Sequence, residues 1–552
     1  MDASRAIPVP MVPPTAAASP AEPCPVCPRI ATEFEAWRQA AYWKAMHARA
    51  TQREGRLHDR VRELEAQIRL LQQTIFGKSS EATTGPDAAP PSGATVAKRP
   101  RGQQPGRPIP PKRRYDQLPA VEEIHDLPDG ERHCADCGRP FAEFPGTEDS
   151  EILEVDVAAH RRVIRRKRYR PSCECPHNKP IVAAPPAPRA IPKSRIGVSI
   201  WTLVLMDKYL FQRPTYRLLA ELRTFGLDLA LGSITDGLKR LEPLFAPLYE
   251  ALVERSQEPS FWHADETRWQ VFVTVEGKVG HRWYLWVFHG PDSVAFVLSP
   301  TRAHDVPEEH FGADAAGILV VDRYAAYKAI EQVKDGQIVL AFCWAHVRRD
   351  FLRVAKGHRD HADWATAWVE RIGRLYHLNG ERLAALDAAP PPEPAATPTV
   401  PEQRLRDHLS AMATQRDDEL TQPDWPLAKR RVLASLTEHW SGLTVFVDHP
   451  EVPLDNNAAE RVQRGPVVGR KNYYGSGSEW SGRLAAMLFS VFQTLALADL
   501  NPRLWLTAYL DACAAAGGTV PADPDQFLPW NLSDERKRVL AMDPLPHEAD
   551  SS

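Results

Sequence analysis

At 552 residues, 43% hydrophobic and 25% charged, the chain is long enough for several globular domains. Its formal charge of −3 excludes a uniformly basic nucleic-acid-binding protein, so any contact with phosphate must come from local clusters. No run of 18 apolar residues occurs, and the N-terminus lacks the charged-then-apolar order of a leader, so neither a membrane span nor secretion is expected. Residues 1–29 are rich in Pro and Ala and read as a disordered tail. Cys24 and Cys27 within it are free thiols, or a half-site completed by a partner chain. Residues 30–76 read as one helix. Leu57, Val61, Leu64, Ile68, Leu71 and Ile75 alternate by four and three, the seam of a coiled coil, so self-association through residues 57–75 is expected. The alternative is an amphipathic helix packed on its own domain.

Residues 77–114 form a basic linker rich in Pro and Gly. From Ala88 to Tyr115 there are seven Lys or Arg and no acid. Arg99, Arg101 and Arg107 in KRPRGQQPGRP resemble the hooks that lay Arg in narrow A·T minor grooves; the alternative is a solvated linker. Six of the eight cysteines fall in close pairs, which points to metal rather than a disulfide scaffold. Within residues 115–182, Cys134 and Cys137 precede Cys173 and Cys175, four thiolates suited to a structural zinc. The tight second pair makes His177 an alternative ligand. Between the pairs runs HRRVIRRKRYR, with Arg165, Arg166, Lys167 and Arg168 at its centre. A basic strand or hairpin on a zinc-stapled module is a surface for double-stranded DNA.

Residues 194–258 read as a helical domain, either a helix-turn-helix or a support. From residue 259 the pattern changes. WQVFVTV and RWYLWVF read as a hairpin around Glu276–Gly280, VAFVL as a third strand, and GILVVD as a central strand buried on both faces. A helix from Tyr324, the strand IVLAF and the helix CWAHVRRDFLRV complete residues 259–356. Three antiparallel strands followed by alternating strands and helices is the order of a ribonuclease-H-like fold. Residues 357–452 read as a helical insertion, 453–515 as the return to the core, and 516–552 as a C-terminal segment whose FLPWN could dock on it.

Three carboxylates carry the chemistry. Asp265 shares strand parity with Trp269, Val271 and Val273, which puts a charge on an apolar face. Asp322 ends the most apolar strand, where ligands sit in α/β sheets. Glu460 opens a helix that Asp455, Asn456 or Asn457 can cap and that Gly465-Pro466 is predicted to stop. Arg461, Arg464, Arg470 and Lys471 surround it. Hard divalent cations need oxygen ligands, and a pair of them roughly 4 Å apart assists phosphodiester transfer, so two magnesium or manganese ions are expected at Asp265, Asp322 and Glu460. His346 and Arg349, one helical turn apart, are supporting residues that with Arg461, Arg470 and Lys471 would hold phosphate. The bland alternatives are a capping-box Glu460, a hydrogen-bonded Asp265, a helix-capping Asp322 and a packed His346.

HADET, VVDRYAAY, CWAHVRRDF and DNNAAERVQRGPVVGRKN, in that order, resemble the transposases of the insertion-sequence-66 family. The resemblance covers nearly the whole chain and implies a multidomain α+β protein. Its parts would be an N-terminal coiled-coil helix, a small zinc-binding β module, a helical linker domain, and a ribonuclease-H-like α/β catalytic core with a helical insertion. It implies a DDE enzyme with Asp265, Asp322 and Glu460 as its triad and Cys134, Cys137, Cys173 and Cys175 as zinc ligands. The implied activity is metal-dependent cleavage and strand transfer at transposon ends, in the bacterial cytoplasm at the nucleoid. Arg268 and Arg323 depart from the pattern, standing where Pro and Gly are expected after the two aspartates. A catalytically inactive DNA-binding and oligomerisation protein is the alternative.

Overall fold

The computed structural model describes residues 27–76, 128, 131–132, 136–140, 152–153, 155, 157–170, 181–275, 280–388, 399–423 and 425–542. The described residues fall into two compact units, one drawn from 27–76, 188–215 and 235–542, the other from 128–187 and 216–234. No helix among the described residues is long and apolar enough to cross a membrane.

Helix α1 (Cys27–Phe76) belongs to the first unit. Its seam faces away from the core: Leu57, Val61, Leu64 and Ile68 are all more than 40% exposed. The opposite side packs on the chain itself. Ala66 is buried against Gly357, Arg69 Nε donates to the Gly357 carbonyl at 2.6 Å, and Glu63 pairs with Arg431. The sequence offered this helix no domain to rest on, because its support lies some 290 residues away. In the second unit, the basic run is largely irregular and exposed. Its end forms β1 (Arg168–Tyr169), antiparallel to β2 (Val182–Ala183).

Helix α2 (Val198–Tyr209) buries Trp201, Val204, Leu205, Met206 and Tyr209. After α3 (Thr215–Thr224), helix α4 (Leu231–Gln257) passes beneath Trp201 at Gly237, where a Cβ would lie 1.9 Å from the indole. The sheet follows: β3 (Phe261–Gln270), β4 (Arg282–His289), β5 (Val294–Ser299), then after helix α5 (Asp305–Phe311) β6 (Gly317–Val321), and after the short helices α6 (Ala325–Lys328) and α7 (Glu331–Lys334) β7 (Ile338–Phe342). Strand order is β5-β4-β3-β6-β7. The first three strands are antiparallel, and β3–β6 and β6–β7 are parallel. The central GILVV strand has four of its five residues buried, as its unbroken apolar run requires.

The first strand begins eight residues earlier than WQVFVTV suggests. Trp262 and Ala264 alternate into the core, and the hairpin ladder closes at Gln270 opposite Arg282. Beyond it the Val271 N–H still reaches the His281 carbonyl at 3.0 Å, and a second partner joins: Phe272 donates to the Ser476 carbonyl at 2.9 Å, and Ser476 donates to that of Gln270 at 2.8 Å.

Helix α8 (Trp344–Gly357) lies with α9 (Ala362–Ala388), α10 (Val400–Leu420), α11 (Leu427–Glu438) and α12 (Trp440–Leu443) in one apolar cluster. Trp344, Phe351 and Trp368 meet Trp262 and Trp286 of the sheet there. Helix α13 (Asn457–Tyr473) does not stop at Gly465-Pro466. Pro466 is buried inside it, and the helix runs on until Tyr474 turns left-handed with φ 64°. One missing N–H bond is outweighed by the buried face of Ala459, Val462, Pro466 and Gly469. Helix α14 (Glu479–Leu497) covers the edge strand: Ser490 and Thr494 hydroxyls accept the Phe296 and Val294 N–H groups at 2.8 and 3.0 Å. Helices α15 (Pro502–Ala515) and α16 (Asp534–Leu540) close the chain. FLPWN docks between them, with Trp505 Nε1 donating to the Phe527 carbonyl at 2.8 Å.

Candidate active site

The parallel pairing of β3 with β6 sets His263 opposite Val320. Two residues further along each chain stand Asp265 and Asp322, so one register brings both aspartates to adjacent positions. Each gives one oxygen to the main chain. Asp265 Oδ1 accepts the Glu266 N–H at 2.9 Å, and Asp322 Oδ1 accepts the Tyr324 N–H at 2.8 Å. Asp322 thus braces the turn after its strand but does not cap the next helix, whose N-cap is Tyr324 with no side-chain cap bond.

Glu460 arrives on the first turn of α13. Asp455 Oδ1 accepts the Asn457 N–H at 3.1 Å, and the Glu460 N–H reaches the Asn456 carbonyl at 3.1 Å. Its carboxylate makes no capping box. Instead both oxygens lie 3.0–3.1 Å from Arg349 Nη2, and His346 Nε2 is 3.9 Å from Oε1 and 3.0 Å from Arg349 Nη1. Donor atoms of Cys343, His346 and Glu460 lie within 4.8 Å of one another, the one such trio among the described residues. The ring of His346 is half-buried, and burial with the Arg349 charge lowers its pKa.

Asp265 is the electrostatic centre. Its carboxyl is held well above the usual range, first by burial and then by the negative charges of Glu266, Asp322 and Glu460. Four acids therefore share one low-dielectric field. Glu266 is the fourth. Its side chain is 1% exposed, Tyr327 Oη donates to it at 2.7 Å and Arg302 Nε at 2.9 Å. The Arg302 guanidinium in turn lies 3.7 Å over the Tyr324 ring. The Asp-Glu pair was visible in HADET, but these partners stand 36 and 61 residues away and left no local signal.

The cations divide. Arg323 turns from the site to Ser435 at 2.9 Å and to Asp350. Arg470 is tied to β3 through Thr267 Oγ1 at 3.2 Å and the Arg268 carbonyl. Arg461, Arg464 and Lys471 form one exposed stripe on α13 with Asn457 and Val468, and Arg464 joins it by its spacing of three and seven. In the second unit Arg165, Arg166, Lys167 and Arg168 are exposed, as is Cys137. Cys134, Cys173, Cys175, Arg99, Arg101 and Arg107 lie outside the described residues.

Asn456, 1% exposed, is one of the three cap candidates and holds the N-cap position of α13. It caps nothing with its side chain, which faces β3 instead.

Residues 193–484 match the family described as "Transposase IS66 family". Three proteins of Sinorhizobium fredii are similar. One, "Uncharacterized protein y4hP", is 26% identical over 74% of each chain. "Uncharacterized protein y4jD" is 27% identical over 72% of this chain and 78% of its own. "Uncharacterized protein y4qI" is 25% identical over 79% and 80%. The family match spans more than half of the 552 residues and contains both aspartates and Glu460, so the chain belongs to the IS66 transposase family.

Proposed function

We propose that the chain is an active DDE transposase with a ribonuclease-H-like core, cutting and joining DNA at the ends of its own insertion element. The observation that carries this is the β3–β6 register that sets Asp265 and Asp322 side by side, with Glu460 near enough that its charge, after burial and the charges of Glu266 and Asp322, helps raise the Asp265 pKa. Uncompensated, such a cluster is costly. Divalent cations offset that cost, and an all-carboxylate set fits hard ions such as magnesium or manganese. Asp265, Asp322 and Glu460 would hold two of them. Bound there, they supply charge neutralisation of the phosphate and a lowered pKa for the attacking oxygen.

The protein's own groups do the rest. Glu460 is paired with Arg349, whose side chain is 43% exposed. Exposed pairs are worth roughly 0.2–1 kcal/mol, so Glu460 exchanges this partner cheaply for a cation. Arg349, once released, stands beside the site as a phosphate ligand. The Arg461, Arg464 and Lys471 stripe tracks the DNA backbone. Arg165, Arg166, Lys167 and Arg168 bind double-stranded DNA on a zinc-stapled module held by Cys134, Cys137, Cys173 and Cys175, with Arg99, Arg101 and Arg107 in a minor groove. The outward seam of α1 supports self-association.

The test is cleavage and strand transfer on the element's own ends with magnesium. Asp265→Asn, Asp322→Asn and Glu460→Gln should each abolish cleavage and spare end binding. Near-normal cleavage by any one removes that residue from the triad. The Glu460–Arg349 pair is the one observation favouring an inactive DNA-binding and oligomerisation protein, and that reading predicts no cleavage from the unsubstituted chain.

A further inference from the structure

We propose that Asn456 is a positioning residue that sets the distance between the two halves of the acidic site; the inference rests on the triad reading above. Its side chain and main chain join three elements. Asn456 Nδ2 donates to the Ala264 carbonyl at 2.7 Å, and Ala264 immediately precedes Asp265 on β3. Asn456 Oδ1 accepts from His263 Nδ1 at 2.9 Å, one residue further back. The Asn456 N–H points to Cys343 Sγ at 3.3 Å, at the junction of β7 and α8, and the Trp344 N–H answers to the Leu454 carbonyl at 2.8 Å. Finally, the Asn456 carbonyl receives the Glu460 N–H at 3.1 Å, the first bond of α13.

One residue thus fixes the main chain beside Asp265, the start of the helix carrying His346 and Arg349, and the amide of Glu460. The geometry leaves little choice of residue. The position needs a donor for a carbonyl and an acceptor for an imidazole N–H on one short side chain, in a place 1% exposed. Asp accepts but cannot donate when ionised. Gln is one carbon too long for a packed site. Asn457, its neighbour in sequence, is exposed and has no such role. Since Asn456 touches none of the reacting groups, its effect passes through the acids it spaces. Outer partners of this kind are worth about 10–100-fold in metal affinity or activity.

The experiment uses the full chain, element-end DNA and a magnesium titration. Asn456→Ala and Asn456→Asp should lower cleavage at fixed low magnesium about 10–100-fold and raise the half-saturating magnesium concentration, with end-binding affinity unchanged. A merely structural residue would lower the amount of folded protein without moving the magnesium midpoint. Should the Asn456 variants fail to fold, His263 supplies the second arm. His263→Ala removes one donor to Asn456 and should raise the midpoint, whereas His263→Asn keeps a donor at the Nδ1 position and should restore it. Unchanged midpoints in the folded variants overturn the proposal. Glu460→Gln, run in parallel, separates the two failures: if it still cleaves, the triad reading itself is wrong.

Discussion

Tyr327→Phe tests whether Glu266 is a fixed brace or a mobile ligand. The change deletes one oxygen and leaves the ring, which is fully buried and packed edge-on against Trp286 at 5.9 Å. No cavity follows, so the effect reads the hydrogen bond alone. Tyr327 Oη donates at 2.7 Å to a carboxylate that is 1% exposed. A hydrogen bond to a charged group contributes about 1.5–3 kcal/mol. The Arg302 clamp survives, but Arg302 is 40% exposed and too screened to replace the lost donor. Burial already raises the Glu266 pKa against the pull of Tyr327 and Arg302, which limits the loss. The expected cost is therefore about 2 kcal/mol, in the lower half of that range. Denaturant unfolding followed by tryptophan fluorescence measures it. In a Glu266→Gln background the same change should cost only about 1 kcal/mol, the value of a neutral bond. A loss below about 0.5 kcal/mol in the unsubstituted background would refute the brace, since that is the scale of an exposed contact.

Two further outcomes depend on pH. His310 is fully buried, stacked on Phe288 at 3.7 Å, and its pKa is pushed down to about 3 by burial. It stays neutral in the folded chain while the unfolded chain takes up a proton below about 6.5, so stability is lost as pH falls from about 6.5 toward 3. The loss is at most about 5 kcal/mol, and His310→Phe should flatten the acid limb of a melting-temperature profile. On the proposed triad, Asp265 bears on activity. Its raised pKa means that a proton competes with the metal, so magnesium-dependent cleavage should fall on acidification at a pH above the ordinary carboxylate range. Pre-steady-state cleavage at two magnesium concentrations checks this: the higher one should move the acid limb to lower pH.

Much of the sheet was legible because its strands differ in kind. GILVV could only be a two-face-buried strand, and its place fixed Asp322. The start of β3 was not legible, since Val271 and Val273 look as strand-like as Trp262 and Ala264. Only a distant residue, Ser476, draws Phe272 away just past the ladder. Pro466 misled for a similar reason: a local stop signal lost to the tertiary burial of α13. Of the proposed site, the adjacency of Asp265 and Asp322 was foreshadowed by the strand pattern. The roles of Asn456 and Glu266 were not, because both are defined by partners remote in sequence. For α1 the packed alternative is seen at Ala66, while the Leu57–Ile68 seam is left outward and self-association through it stays a proposal.

The acids of this site differ in how firmly the fold holds them. Glu266 is enclosed, with Tyr327 and Arg302 on it, and any rearrangement would strand a charge in the core. Glu460 sits at a helix start with a solvent-screened arginine, so a change of partner costs little. Asp265 and Asp322 lie between these limits, each anchored by one main-chain N–H. Under the proposed metal-dependent function, that gradient would let the site accept cations without moving its backbone. The buried acid contributes field, and the sheet register fixes the two aspartates. Only Glu460 has to swing, on a helix whose first bond is made to Asn456.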